Sequence, residues 1–190
     1  MPEMQGGKSP ASWSRIARRV RVPLGFAFAG FYLWRARPTW LSLLIGAAIA
    51  LLGILLRAMA SGHVEKNRVL TITGPYAYVR NPLYLGSIII GVGFGVAARD
   101  VWIFLAIVLL FAVIYLPVIR SEEAFLRSQF REYDDYARRV PSLLPQTLLL
   151  RQIRRGFSRE LYFKHREYNS LLGAAAMLAA LVVKILWLPG

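Results

Sequence analysis

Long apolar runs separated by shorter polar segments dominate this chain of 190 residues. A bilayer core about 30 Å thick needs roughly 20 apolar residues per helix, and each run reaches that length or approaches it with its flanks. We therefore predict an all-α, polytopic membrane protein with about five transmembrane helices. Arg57, near the end of the second run, is predicted to extend to the membrane interface. The runs cover about residues 22–34, 39–60, 82–98, 101–119 and 168–188.

Three features inside the apolar runs predict local structure. The third run is rich in glycine at positions 86, 91, 93 and 95, which permits close approach of another helix. Pro117, near the end of the fourth run, predicts a kink, because proline lacks the backbone N–H and crowds the preceding turn. The small residues around 173–176 of the fifth run favour helix packing, either inside the protein or between protomers.

A polar segment, residues 120–146, separates the fourth run from the fifth, and its apolar stripe over 119–137 predicts a helix that ends before Pro141. Glu122 fills a gap in its apolar stripe, so we predict that this carboxylate points inward, where Arg80 or a bound cation would compensate it. Glu123 lies about 100° further around the helix and is placed to form a surface pair with Arg127. The stripe consists of Ile119, Leu126, Phe130, Tyr133 and Ala137.

Two prolines, Pro141 and Pro145, follow the helix and hold an extended apolar loop. Such a loop would serve either as a wedge on the membrane surface or as a lid over a pocket. The pattern of apolar positions is compatible with both.

The chain is strongly basic as well as apolar, with 24 Lys and Arg against 10 Asp and Glu and 56% hydrophobic residues. The positive residues flank the apolar runs and do not line one polar face, so we predict no nucleic-acid partner. Most lie in residues 1–21, 61–80 and 120–167, whereas the other connections contain Arg35, Arg37 and Arg99. Because cytoplasmic loops have the positive excess, these three segments, and the amino terminus with them, are predicted to be cytoplasmic.

Several classes of chemistry are disfavoured by composition. The chain has no cysteine, which excludes disulfides, thiolate metal sites and cysteine nucleophiles. His63 and His165 are far apart in sequence and neither has a metal-ligand spacing, so no metal site is predicted. The first apolar run is interpreted as an uncleaved span, because the apolar stretch before a possible cleavage site at Ala27 is too short for a secretory signal.

A compact motif, GPYAYVRNPLYLG at residues 74–86, precedes the third run. Asn81 is a favourable N-cap and Pro82 a favourable first helical residue, so a helix is predicted to begin here. Free N–H groups at a helix start attract anions, Arg80 can bind a carboxylate, and Tyr76 and Tyr84 can supply aromatic faces. A belt of interfacial tyrosines beside a helix cap is the alternative interpretation.

A second motif runs from Glu122-Glu123-x-x-Leu126 to Val140-Pro141-x-x-x-Pro145. In this order the two motifs resemble those of the isoprenylcysteine carboxyl methyltransferase family and its phospholipid methyltransferase relatives. The resemblance covers about residues 60–146, which would be the methyltransferase-like core of a single membrane domain over 1–190. It leaves residues 1–21 as a basic amino-terminal segment and 147–190 as a basic connector with an extra span.

The resemblance implies an integral membrane methyltransferase that uses S-adenosylmethionine (SAM) on a lipid-linked or hydrophobic acceptor, with its cofactor site on the cytoplasmic side. Glu122, Arg80 and Glu123 are the implied catalytic residues. The implied cofactor-binding residues are Arg68, Val69, Leu70, Thr71, Tyr76, Asn81, Pro82, Leu83, Tyr84 and Glu122.

Three positions depart from the family pattern. Asn81 replaces a histidine, Arg131 replaces a glycine, and Val118 stands where an arginine is expected. Asparagine can still donate and accept hydrogen bonds. The departures motivate one alternative, a catalytically silent membrane protein that binds lipid or a partner. A basic anchor for anionic lipid or nucleic acid is a third interpretation, which would use Arg151, Arg154, Arg155, Arg159, Lys164 and Arg166.

Overall fold

The structure is a computed structural model that describes residues 25–65, 69–145 and 157–187. These residues are mainly helical, and no strand occurs among them. The predicted all-α class is therefore confirmed for the described part of the chain. Some residues named in the sequence predictions lie outside the described residues: Arg68, the basic segment 1–21, Arg151, Arg154 and Arg155.

Eight α-helices occur within the described ranges. The helix over residues 25–35 (α1) belongs to a unit that ends at Arg35, and the remaining helices belong to a second unit that begins at Ala36. A 3₁₀ turn at Gly74–Ala77 precedes α3, and a π-helical segment at Phe111–Tyr115 joins α4 to α5. The helices of the second unit are α2 (Trp40–Ser61), α3 (Pro82–Ala98), α4 (Val101–Leu110), α5 (Leu116–Gln129), α6 (Tyr133–Arg139), α7 (Arg159–Lys164) and α8 (Tyr168–Trp187).

Three described helices are long and apolar enough to cross a membrane: α2, the continuous helix Val101–Gln129, and α8. The helix α3 has the predicted bounds, but its 17 residues make it shorter than these three. The described residues thus provide three candidate membrane-spanning helices, while the count of five spans and their orientation remain predictions. At 1.5 Å per residue the helix Val101–Gln129 is about 43 Å long, which exceeds a bilayer core of about 30 Å.

Glycines pack α2 directly against α3, as the sequence predicted for the third run. A Cβ added to Gly93 would lie 2.5 Å from Gly46 O, and one added to Gly53 would lie 2.6 Å from Gly86 O. On α2 the contact glycines are Gly46 and Gly53, and on α3 they are Gly86 and Gly93, so the spacing is seven residues on each helix. The earlier glycine of α2 meets the later glycine of α3, so the two helices are antiparallel and meet along one stripe. No larger side chain fits between backbones at this separation.

Pro117 lies just after the π-helical segment that joins α4 to α5. Proline cannot donate a backbone hydrogen bond to the preceding turn and its ring crowds the carbonyl four residues earlier. The helix therefore widens locally at Phe111–Tyr115 and continues as α5. The structure thus shows a π-helical segment next to Pro117, and the predicted kink of the helix axis stays a prediction.

The predicted helical stripe over residues 119–137 is divided between two helices. α5 ends at Gln129, Phe130 has an extended backbone, and α6 begins at Tyr133. The prediction of one continuous helix is wrong here. Because the chain changes direction at Phe130, positions before and after it do not share one helical face.

Candidate functional site

An ion pair joins the first motif to the second near the start of α3. Arg80 Nη1 lies 3.3 Å from Glu123 Oε2, and the two side chains are 16% and 18% exposed. Asn81 Nδ2 donates to Glu123 Oε1 at 2.7 Å, and Ser142 Oγ donates to the same oxygen at 2.8 Å. We call these four residues the Arg80–Glu123 cluster. One guanidinium and two neutral donors thus compensate a half-buried carboxylate.

Backbone hydrogen bonds fasten the segment after α6 to the first motif. Arg80 N donates to Pro141 O at 2.9 Å, and Asn81 N donates to Ser142 O at 3.1 Å. Leu144, two residues further on, is 77% exposed. The hydrogen bonds fix the beginning of this loop, as expected for a lid. The exposed Leu144 side chain is what a membrane wedge would use, so both interpretations stay open.

Asn81 occupies the predicted N-cap position of α3, directly before Pro82. Its side chain makes no capping hydrogen bond and is instead turned toward Glu123 and Ser142. The predicted position is confirmed, whereas the predicted capping by the side chain is wrong. A neutral amide suits this place, since it donates to a carboxylate without adding a titratable group.

Glu122 and Glu123 have the opposite environments to those predicted for them. Glu122 is exposed, so the prediction that it points inward to Arg80 is wrong, and Glu123 forms that ion pair. The predicted surface pair between Glu123 and Arg127 is also wrong, because Arg127 pairs with Asp134. Positions 119, 123, 126 and 130 follow spacings of four, three and four, so Glu123 fits the buried stripe as well as Glu122 does.

A tyrosine of α6 supports the 3₁₀ turn of the first motif. Tyr136 Oη donates to Tyr76 O at 2.7 Å. Burial raises the pKa of Tyr76 above its usual range, and Tyr136, Glu122 and Glu167 nearby act in the same direction. Burial also raises the pKa of Tyr136. Both phenols therefore stay neutral at physiological pH.

Tyr133, also on α6, is completely buried beside Arg80. Neither Tyr133 Oη nor Arg80 Nε has a hydrogen-bond partner among the described residues. Burial raises the pKa of Tyr133, the charge of Glu123 adds to this rise, and Arg80 opposes it. Two buried polar atoms without partners are unusual in a folded protein and require an explanation.

The π-helical segment brings further aromatic rings to the first motif. Tyr84 and Tyr115 meet edge to face, with ring centroids 5.5 Å apart. Tyr115 stacks on Phe111 at a centroid distance of 4.8 Å. Single π-helical turns often occur at functional sites, and this one orients the Tyr84 ring from the side of α4 and α5.

Other residues predicted to bind a cofactor lie on either side of the 3₁₀ turn in sequence. Three of them precede the turn in a segment without regular secondary structure, and two form the first turn of α3. Their binding roles remain predictions, as does that of Arg68. The five described residues are Val69, Leu70, Thr71, Pro82 and Leu83.

A second half-buried ion pair joins α2 to the start of α8. Arg57 Nη2 lies 2.9 Å from both carboxylate oxygens of Glu167, and Arg57 Nε donates to Glu167 Oε2 at 3.1 Å. Arg57 Nη1 donates to Ser87 Oγ at 2.6 Å and to Leu83 O at 3.2 Å. We call these four residues the Arg57–Glu167 cluster. All three guanidinium nitrogens of Arg57 bond within the protein, and its predicted place at the membrane interface stays a prediction.

Sequence reasoning missed Glu167, Ser142 and Tyr133 as candidate site residues. Arg57 and Glu167 are 110 positions apart, and Glu123 and Ser142 are 19 apart across a helix break. Helical periodicity relates only residues within a few turns. An inward-facing charge such as Arg57 inside an apolar run was the one usable signal, since a charge there normally has a partner.

A sequence model of the family described as phospholipid methyltransferase matches residues 39–133. The chain is 35% identical over 140 residues to the cobalt-zinc-cadmium resistance protein CzcN of Cupriavidus metallidurans, covering 69% of this chain and 64% of that protein. It is 38% identical over 139 residues to the nickel-cobalt-cadmium resistance protein NccN of Alcaligenes xylosoxydans xylosoxydans, covering 70% and 63%. The match thus spans somewhat less than two thirds of each relative. No solved structure matches the chain significantly.

Proposed function

Because the chain belongs to the phospholipid methyltransferase family, we propose that it is an integral membrane, SAM-dependent methyltransferase acting on a lipid-borne or hydrophobic acceptor. The Arg80–Glu123 cluster supports this proposal most directly, since it joins residues of two motifs that are 42 positions apart. The proposed site lies where α3 begins and α5 ends. The charge distribution favours the cytoplasmic side of the membrane for this end.

The side chains at this end suit the charged groups of SAM, which has a carboxylate, an ammonium and a sulfonium group. Arg80 Nε and Tyr133 Oη lack partners among the described residues, and both can donate to a carboxylate. Glu122 is exposed and suits a positive group, while Tyr84 can offer an aromatic face to it. When bound, SAM supplies an electrophilic methyl group, so the chain has only to bind and orient the reactants.

The acidic and phenolic groups of the site differ in their availability as bases. Glu123 is held by the ion pair with Arg80, and Tyr76 and Tyr136 keep their protons because burial raises the pKa of each. Glu122 is therefore the group that we propose accepts a proton from an amine acceptor. An acceptor that is already ionised needs no such base.

Methyl transfer can be tested with the purified full-length protein in lipid nanodiscs. We expect SAM to bind in calorimetry, and methyl-labelled SAM to transfer label to a component of a total membrane lipid extract. Glu122→Gln should lower transfer to an amine acceptor more than it lowers SAM affinity, whereas Glu132→Gln, which changes the same charge outside the site, should change neither. Absence of both SAM binding and labelled product would support the catalytically silent alternative.

The names of the two relatives suggest a second candidate function, a contribution to resistance against cobalt, zinc, cadmium or nickel ions. Among the described residues no group of three or more His, Cys, Asp or Glu side chains could hold a metal ion. A deletion strain complemented with the wild-type chain or with Arg80→Ala tests whether metal resistance depends on the proposed methyltransferase site. Metal tolerance restored by the wild type alone would link resistance to methyl transfer, and tolerance restored by both would show that resistance does not need this site.

A further inference from the structure

The carboxyl-terminal helix α8 lies beyond the part of the chain that matches the family, which ends at residue 133. We infer that Glu167, acting through Arg57, positions the first turn of α3 and thereby makes α8 a structural part of the proposed methyltransferase site. This inference rests on the proposed function, because the first turn of α3 carries the motif residues assigned to the cofactor. Glu167 is a positioning residue in this scheme and does not contact the reacting groups.

The guanidinium of Arg57 is the physical link between α8 and α3. One side of its planar fork binds both oxygens of Glu167, and Nη1 binds Ser87 Oγ and Leu83 O. Leu83 stands between Pro82 and Tyr84 of the first motif. Arginine suits this place better than lysine, because its five donors have a fixed geometry that can serve partners on two helices at once.

Gly86, the last residue of the first motif, leaves the space through which Arg57 reaches these partners. A Cβ added to Gly86 would lie 2.5 Å from Arg57 Cγ and 2.8 Å from Gly53 O. The motif glycine therefore serves two contacts, the close approach of α2 and the passage of the Arg57 side chain. This ties the Arg57–Glu167 cluster to the motif by packing as well as by hydrogen bonds.

The connector before α8 is docked in a way that fixes Glu167 opposite Arg57. Ser158 N donates to Gly62 O at 2.8 Å, and His165 Nδ1 lies 3.2 Å from Ser61 O. The Phe157 ring fills the space beside Gly62, where an added Cβ would clash with it. Residues 157–165 therefore bind the end of α2, four residues after Arg57.

The carboxylate of Glu167 is what keeps the Arg57 guanidinium at α3. The two side chains are only 21% and 12% exposed, so removal of the negative charge leaves a half-buried cation without its counter-charge. Such a cation is expected to turn toward water and to leave Leu83 and Ser87. Displacement of a binding group by about 1 Å can cost up to roughly a hundredfold in function, so even a small shift of this turn should be measurable.

The experiment compares Glu167→Gln with Glu160→Gln, which makes the same charge change at an exposed position on α7. The natural chain has no cysteine, so spin labels can be placed at Leu44→Cys on α2 and Leu172→Cys on α8, which are 69% and 60% exposed. Distance distributions between the labels report whether α8 stays docked. Calorimetry on the full-length protein in nanodiscs reports the Kd for SAM.

For Glu167→Gln we expect a broader distance distribution and a Kd for SAM raised about tenfold or more, with partial recovery of both in Glu167→Asp. Glu160→Gln should match the unsubstituted protein. An unchanged Kd in Glu167→Gln would overturn the positioning role, whether or not the distribution broadens. Absence of SAM binding by the unsubstituted protein would instead overturn the proposed function, and the distance measurement would still show whether Glu167 fastens α8.

Discussion

Two arginine–glutamate pairs hold helices together in this protein, and they differ in how completely they are hydrogen-bonded. In the Arg57–Glu167 cluster all three guanidinium nitrogens have partners. In the Arg80–Glu123 cluster, Arg80 Nε has no partner among the described residues, and the neighbouring Tyr133 hydroxyl has none either. The exposure of the two pairs is similar, so burial alone does not distinguish them.

Whether the donors of a charged pair all have partners indicates whether the pair serves stability or ligand binding. A network whose donors and acceptors are all satisfied gives rigidity and leaves no group for a ligand. A network with unpaired buried donors has binding capacity that the protein itself does not use. This contrast supports a fastening role for the Arg57–Glu167 cluster and a binding role for the Arg80–Glu123 cluster.

Arg80→Ala is expected to have the largest effect, because it removes the binding group and leaves Glu123 without its cation. Loss of one partner of a half-buried pair should lower the free energy of unfolding by about 2 kcal/mol, and SAM affinity should fall by about tenfold or more. Denaturation and calorimetry measure the two effects. The exposed pair of Arg138 with Asp135 provides the control, and Arg138→Ala should change neither quantity appreciably. Wild-type SAM affinity in Arg80→Ala would remove the binding role of this cluster.

Gly86→Ala tests the fastening cluster by steric means. The added methyl group would lie 2.5 Å from Arg57 Cγ and 2.8 Å from Gly53 O, which should lower the free energy of unfolding by about 2 kcal/mol through overpacking. Gly173→Ala is the matched control, since nothing lies within 4 Å of the added atom. There the higher helix propensity of alanine should stabilise the protein by up to about 1 kcal/mol. Equal thermal midpoints for the two variants would contradict the packing described here.

The two tyrosines of α6 differ in hydrogen bonding: the hydroxyl of Tyr136 has a partner in the protein, and that of Tyr133 has none among the described residues. Tyr136→Phe removes the hydrogen bond to Tyr76 O and should cost about 1 kcal/mol of stability. Tyr133→Phe removes a buried hydroxyl that has no partner among the described residues, so it should leave stability unchanged or slightly increased while weakening SAM binding. Thermal unfolding and calorimetry on the two variants provide the comparison. A stability loss in Tyr133→Phe as large as in Tyr136→Phe would show that the Tyr133 hydroxyl is satisfied within the protein.

The buried phenols predict the smallest effect, a loss of stability confined to alkaline pH. Burial raises the pKa of Tyr76 and of Tyr136 above the unfolded value of about 10. The unfolded chain therefore releases these protons first, so stability is intact below pH 10 and declines as the pH rises further. Thermal midpoints in detergent between about pH 8 and pH 11 measure this decline, and Tyr136→Phe should reduce its slope. A midpoint that does not fall above pH 10 would argue against buried, neutral phenols.

Much of the fold was predictable from local sequence patterns. The start of α3 followed from Asn81 and Pro82, because an N-cap residue before a proline is a signal contained in two positions. The close packing of α3 followed from its glycines, since a helix stripe without side chains lets a neighbouring backbone come into direct contact. The helical class and the apolar spans followed from run length.

The same patterns could not identify the partners of the charged residues. Glu122 and Glu123 both lie within about one residue of the buried stripe, and a spacing of three or four residues fits either of them. Only the tertiary structure showed that Glu123 contacts Arg80, because that choice depends on the angle at which α5 meets the first turn of α3. The break at Phe130 also places Tyr133 on a separate helix, α6, where it is still buried.

The sequence by itself determined that this protein is helical, apolar and basic, that a helix begins at Pro82, and that two separated motifs belong to a methyltransferase family. The tertiary structure decided which glutamate neutralises Arg80 and that Arg57 fastens α8 through Glu167. The reason is physical. Helix formation, capping and glycine contacts depend on residues within a few positions of each other, whereas an ion pair between residues 110 positions apart depends on the packing of the whole chain.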